Sequence, residues 1–170
     1  KNLGKILDYG AGSGENSKFL ASNGHKVYSL DSSQTACKII KKKNLELKKN
    51  QKMKVINIRN FSKLPFKNNF FENIICISVL SLVGGKSNIK NLIKEFLRIL
   101  KPGGLMLIDI NGKKGDFAKD KTKKIICLKS KKEFSKFVNT KLTKILFSGE
   151  IFKDYSNISD HEFIMLIKKL

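Results

Sequence analysis

Arginine is almost missing from this basic chain: of the 35 lysines and arginines in 170 residues, only Arg59 and Arg98 are arginine. That scarcity removes the commonest means of reading nucleic-acid bases, the bidentate guanidinium. Cysteine is also scarce. Cys37, Cys76 and Cys127 are far apart and odd in number, which argues against a disulfide framework or a zinc cluster, so no metal site is expected. Long apolar runs are missing too. The longest uncharged one, Ile74–Val83, falls well short of the roughly 20 residues a membrane helix needs. The chain enters a strand-like run almost at its start without a secretory pattern, so the expectation is a reduced, cytoplasmic protein.

Acids are few as well, at 14, leaving a formal net charge of +21. This has two readings. One is a solvated lysine surface; the other is attraction to an anionic substrate, nucleic acid or membrane face. Apolar content of 41% and 29% charged residues are otherwise ordinary for a globular chain, and the length suits one domain over 1–170. There are no internal repeats and no linker.

What is present is an alternation of short apolar runs with amphipathic stretches, the pattern of an α/β sheet with helices on both faces. Strands are expected near Lys5–Tyr9, Lys26–Leu30, Val55–Ile58, Asn73–Ser78 and Leu105–Ile110. Helices are expected over Asn16–Ser22 and from a cap at Ser32 or Ser33. A third should start from a cap at Ser87 and carry Ile89, Leu92, Ile93, Phe96, Leu97 and Leu100 at helical spacing. Pro102-Gly103-Gly104 should end that helix with a turn. Residues Asn111–Lys124 read as a mobile loop, and Ser130-Lys131-Lys132-Glu133 as a capping box. Two closing strands, near Thr140–Phe152 and Glu162–Lys168, lie too close for a crossover and read as an antiparallel pair. His25 and His161 read as surface residues, and Cys76 as core.

The chemistry gathers at Asp8-Tyr9-Gly10-Ala11-Gly12-Ser13-Gly14, where a short strand ends in an acid and runs into glycines. Glycine lets backbone approach a ligand closely, and a helix start beyond it offers unpaired N–H groups. Dinucleotide enzymes place G-x-G-x-x-G here, but the third such glycine would fall at Glu15. An acid at position 8 would also repel a pyrophosphate and suits a ligand with positive charge. Asp31, closing the second strand, sits where a nucleotide's ribose hydroxyls would lie.

These residues, with Asn60, Leu64-Pro65-Phe66, Phe71-Glu72 and Leu97-Arg98-Ile99-Leu100-Lys101-Pro102-Gly103-Gly104, resemble the class I S-adenosylmethionine-dependent methyltransferases of the small-molecule type. The stretch Gly14–Gly24 also looks like small methyltransferases of the tellurite-resistance type, which usually have arginine where this chain has Glu15. The resemblance implies a Rossmann-like three-layer sandwich, its seven-stranded, mostly parallel sheet ordered 3-2-1-4-5-7-6 with strand seven antiparallel. It implies S-adenosylmethionine as cofactor, with Asp8, Gly10 and Gly12 at its methionine end and Asp31 on the ribose. Ser32 would lie beside the adenine, Asn60 and Phe61 at its polar edge, and Ile77, with Ser78, near the methyl group.

No catalytic residue is assigned. The acceptor is expected between the loops Leu80–Asn88 and Asn111–Lys124, at the carboxyl ends of strands four and five. Relatives usually carry a helical cover before the first strand. Here only Lys1–Gly4 precede it, so a cropped or water-open site is expected. The function expected is methyl transfer to an oxygen or nitrogen of a small-molecule or carbohydrate-like acceptor, for which the lysine surplus admits an anion. An RNA methyltransferase and a non-catalytic methyltransferase-like binding module are the alternatives; nucleic acid is admitted but not favoured.

Overall fold

A computed structural model describes residues 4–58, 63–120, 122, 124–155 and 158–170. Its strands are β1 (Lys5–Tyr9), β2 (Lys26–Asp31), β3 (Lys54–Asn57), β4 (Phe71–Cys76), β5 (Leu100–Asn111), β6 (Thr143–Tyr155) and β7 (Ile158–Lys169). They form one seven-stranded sheet in the order β3-β2-β1-β4-β5-β7-β6. The first five run parallel, while β7 pairs antiparallel with both β5 and β6. The helices are α1 (Glu15–Ser22), α2 (Gln34–Lys43), α3 (Lys86–Ile99) and α4 (Lys131–Ser135).

Strand alternation divides the core between the two faces of the sheet. Leu7, Tyr9, Tyr28 and Leu30 pack with α3, whose Ile89, Leu92, Ile93, Phe96 and Leu97 are all buried. On the other face Val27 packs with Ala21 of α1 and Ile40 of α2. Leu64-Pro65-Phe66 is fastened by Arg98, which donates to the carbonyls of Leu64 and Phe66 at 3.0 and 2.8 Å. Glu95 accepts from the Leu64 amide at 2.9 Å, and Phe66 meets Phe71 edge-on at 4.7 Å. Among the described residues no helix is long and apolar enough to cross a membrane.

Several boundaries differ from the sequence expectation. Ser33 is the cap of α2, its Oγ accepting from the Ala36 amide at 3.2 Å. Ser87 is not a cap: Gly85 is, and Ser87 lies inside the first turn of α3. Lys101-Pro102-Gly103-Gly104 is no turn outside the sheet. Strand β5 starts at Leu100, opposite Phe71, and the proline and glycines form an irregularity before pairing resumes at Asn73↔Leu105. Ser130 does cap α4, accepting from Glu133 at 3.2 Å, but Glu133 reaches back to the Lys129 amide rather than to Ser130.

The segment after β5 is irregular, as expected, with one 3-10 turn at Asp116–Ala118, yet it is stitched to β7. The Gly112 amide donates to the His161 carbonyl at 2.6 Å, and the Ser159 amide to Asp116 Oδ2 at 2.7 Å. His161 is therefore no surface residue. It is 1% exposed, accepts from the Lys114 amide at Nδ1 and meets Glu150 through Nε2 at 2.9 Å. The amide bond requires Nδ1 to be unprotonated, so the proton sits on Nε2.

Candidate cofactor cleft

A cleft of about 570 Å³ opens at the carboxyl ends of β1, β2 and β4, within the roughly 300–1,000 Å³ usual for small-molecule sites. Its floor is Gly10, Ala11 and Gly12, one wall is Asp31 and Ser32, and the other is Ile77, Ser78 and Val79. The glycine loop is anchored by Leu30, whose carbonyl accepts from the amides of Gly10 at 2.7 Å and Ala11 at 3.0 Å. Gly10 has φ 71°, and a Cβ there would lie 2.3 Å from Val79 Cγ2. Gly12 has φ 55°, and a Cβ there would meet nothing within 4 Å. The first glycine thus serves packing, while the second leaves open space beside the cleft that a ligand can fill.

Asp31 stands at the rim with both carboxylate oxygens engaged. Oδ2 accepts from the Gly12 amide and Oδ1 from the Ser33 amide, each at 2.8 Å. Each oxygen keeps lone-pair capacity for a further donor. Asn57 donates from Nδ2 to the carbonyls of Asp31 and Ser32 at 3.0 Å and ties the end of β3 to this wall.

Asp8 lies beneath the cleft and does not line it. It points from β1 toward α1, is 2% exposed, and its Oδ2 accepts from Ser17 Oγ at 2.5 Å; Ser17 in turn accepts from Ser29 Oγ at 2.7 Å. Burial pushes its carboxyl up to about 6, against the lowering effect of the Ser17 bonds, with the Asp31 charge adding to the rise. Alternation along β1 explains the placement: Tyr9 faces α3, so Asp8 must face α1. Gly10, Gly12, Asp31, Ser32 and Ile77 all line the cleft. Asn60 and Phe61 lie outside the described residues.

Position 78 carries a signal that spacing alone does not give. Ser78 has φ 59°, uncommon for a residue other than glycine, and its amide donates to Asp109 Oδ1 at 2.6 Å. Asp109 lies two residues before the end of β5 and is buried. Desolvation raises its carboxyl to about 7, partly offset by the Ser78 bond, while the Glu162 charge raises it further. Leu82 and Val83 complete the wall near Ser78.

A glycine loop held against the acid that ends β2, on a sheet ordered 3-2-1-4-5-7-6, defines a class I nucleotide-type cleft. The chain belongs to the family described as the methyltransferase domain, whose sequence model matches residues 7–108. S-adenosylmethionine is the cofactor that membership implies. The fold is similar to that of an S-adenosylmethionine-dependent methyltransferase from Methanosarcina mazei. The two are 22% identical, with TM-score 0.80 over 98% of this chain and 92% of that one. It is also similar to TehB from Haemophilus influenzae, at 18% identity and TM-score 0.77 over 98% of this chain and 57% of that one. A third similar structure is SpnF, described as a cyclase, at 17% identity and TM-score 0.77 over 97% and 75%. At such identities the likeness establishes the fold and no particular reaction. Curated protein sequences gave no significant match.

The residues fit the cofactor. The open space at Gly12 and the Asp31 carboxylate flank one cleft, and Ile77–Val79 lie across from them.

Proposed function

We propose that this chain is an S-adenosylmethionine-dependent methyltransferase acting on an oxygen or nitrogen of a small-molecule or carbohydrate-like acceptor. The observation that carries this reading is the Gly12–Asp31 contact at the rim of a cleft large enough for the cofactor. Bound there, S-adenosylmethionine supplies a methyl carbon made electrophilic by its sulfonium. Asp31 would take the ribose hydroxyls, Gly12 would give way to the methionine portion, and Ile77 and Ser78 would border the methyl group. Asp8 would act one step back, holding α1 against the loop through Ser17. The acceptor would approach from the carboxyl ends of β4 and β5, where positioning and exclusion of water can supply much of the rate.

A small acceptor is supported by the space on that side, a cavity of about 190 Å³ next to Ser78 and Leu82. An RNA acceptor is the second reading, favoured by Lys86, Lys113 and Lys129 around a cleft beside the segment after β5. Calorimetry with S-adenosylhomocysteine, then labelled-methyl transfer to separated small-molecule and RNA fractions, tests both. Absence of cofactor binding would reduce the chain to a binding module.

A further inference from the structure

The cavity of about 190 Å³ shares Ser78 and Leu82 with the cofactor cleft, so the two spaces adjoin at the point where Ile77 and Ser78 would border the methyl group. Its remaining lining comes from Asn111 of β5, Phe117 and Ile125 of the following segment, and Asp160 and Glu162 of β7. Strand geometry makes the set. Asn111 pairs with Glu162 across β5 and β7, so the two share a face, and Asp160, two residues from Glu162, joins them. His161, between the two acids, points to the opposite face, against Phe163 and Phe152.

Both acids are buried, at 8% and 4% exposure, in a chain whose net charge is +21. Each is only half engaged. Asp160 Oδ1 accepts from the His161 amide at 2.9 Å and lies 3.4 Å from Asn111 Nδ2. Glu162 Oε2 accepts from Lys153 Nζ at 2.6 Å. Among the described residues, Asp160 Oδ2 and Glu162 Oε1 have no hydrogen-bond partner, although each side chain lines the cavity. Each of these oxygens keeps its lone pairs for a donor brought by a ligand.

We propose that this cavity is the acceptor pocket and that it takes a small amine, whose N–H groups bond Asp160 and Glu162. The assignment rests on the methyltransferase reading above and names its substrate class. Among the described residues, Lys153 is the one cation paired with either carboxylate, which leaves the pocket negative. It therefore attracts an ammonium and repels a carboxylate or phosphate. Phe117 and Ile125 give the carbon skeleton an apolar wall, and the volume limits the buried part to about one ring. In the transfer, the ammonium gives one proton to Asp160, and the nitrogen lone pair so freed bonds the methyl carbon. The electron pair of the broken carbon–sulfur bond stays on sulfur.

Benzylamine, benzyl alcohol and benzoate, equal in skeleton and different in charge, are suitable probes. They would be titrated by NMR against the full chain, with and without saturating S-adenosylhomocysteine. Benzylamine should bind at least about tenfold more tightly than either of the others. Asp160→Asn should lower benzylamine affinity about tenfold while S-adenosylhomocysteine affinity stays unchanged. Ile125→Trp, which fills the cavity and leaves both acids in place, should block benzylamine, and it decides the matter if Asp160→Asn does not fold. Equal or tighter binding of benzoate or benzyl alcohol would overturn the proposal, as would benzylamine affinity unchanged in both variants. Failure of S-adenosylhomocysteine to bind would instead remove the methyltransferase reading, and the titration without it still reads the cavity by itself.

Discussion

The Gly12 amide donates to Asp31 Oδ2 at 2.8 Å, so the glycine floor of the cleft and the wall at the end of β2 are one hydrogen-bonded unit. Removing the Asp31 carboxylate therefore does two things. It takes away the carboxylate proposed to accept from the ribose, and it frees the glycine loop that the carboxylate holds. Asp31→Ala should lose two charge-assisted bonds to the cofactor, each worth roughly 1.5–3 kcal/mol. Affinity for S-adenosylhomocysteine should fall at least about tenfold by calorimetry. An unchanged affinity would refute the ribose assignment.

Gly10 and Gly12 should separate stability from binding. A Cβ on Gly10 would lie 2.3 Å from a Val79 methyl carbon, whereas on Gly12 it would meet only open space. Gly10→Ala should destabilise the fold by roughly 1–3 kcal/mol through overpacking, read by urea unfolding. Gly12→Val should remain folded despite its strained φ, yet lose S-adenosylhomocysteine binding. Normal binding by Gly12→Val would mean that the loop is only a turn.

The alternation of strands and helices and the glycine loop with Asp31 were legible from the chain itself, because each reflects a local requirement, whereas the sheet order was legible only through the family resemblance. Strands β1 and β2 begin where expected for that reason. What eluded the sequence depends on contacts made far along the chain. Lys101–Gly104 looks like a turn until Phe71 is placed opposite Leu100. Ser87 looks like a cap until Gly85 takes that position. Asp160 and Glu162 stand at the edge of the expected last strand, and only the pairing of β7 with β5 and β6 shows that they are buried beside Asn111. Three ionisable residues in a row at 160–162, leading an apolar run, were the available signal. Asp8 reads in the sequence as a partner for a positively charged ligand, and only its place on the α1 face of β1 shows that it accepts from Ser17.

Stability should depend on pH through Asp109, whose carboxyl is raised from 3.8 to about 7 by burial. A raised folded value means that the native state binds the proton more tightly than the unfolded chain. The resulting stabilisation is fully present below about pH 4 and lost as pH rises through about 7. Asp109→Asn still offers an oxygen to the Ser78 amide but cannot ionise. The stability of wild type minus that of Asp109→Asn, from urea unfolding across pH 4–8, should decline by at most about 1.4 kcal/mol per pH unit between the two limits. Asp8 adds a slope of the same sign that ends near pH 6, and it cancels in the subtraction. Parallel curves would show that Asp109 is not desolvated as the structure places it.

The net charge of +21 should give weak, unselective attraction to RNA rather than a reading surface. Part of that charge is already answered within the chain: Lys43 pairs with Glu15, Lys18 with Glu46, Lys114 with Glu150 and Lys119 with Asp116. Lys41 and Lys42 are exposed on α2, while Lys113 and Lys129 are exposed beside the cleft that follows β5. A single-stranded RNA oligonucleotide should bind with a dissociation constant of about 10⁻⁴–10⁻⁶ M and lose affinity steeply with salt. If the attraction is diffuse, Lys41→Gln with Lys42→Gln should lower the log–log salt slope as much as Lys113→Gln with Lys129→Gln. Each pair should lower it by about 1.4 at most, since each phosphate neutralised on a single strand contributes about 0.7. A drop confined to the Lys113 and Lys129 pair would mark a track leading to the methyl group. With sequence-selective, salt-resistant binding, it would make RNA the acceptor.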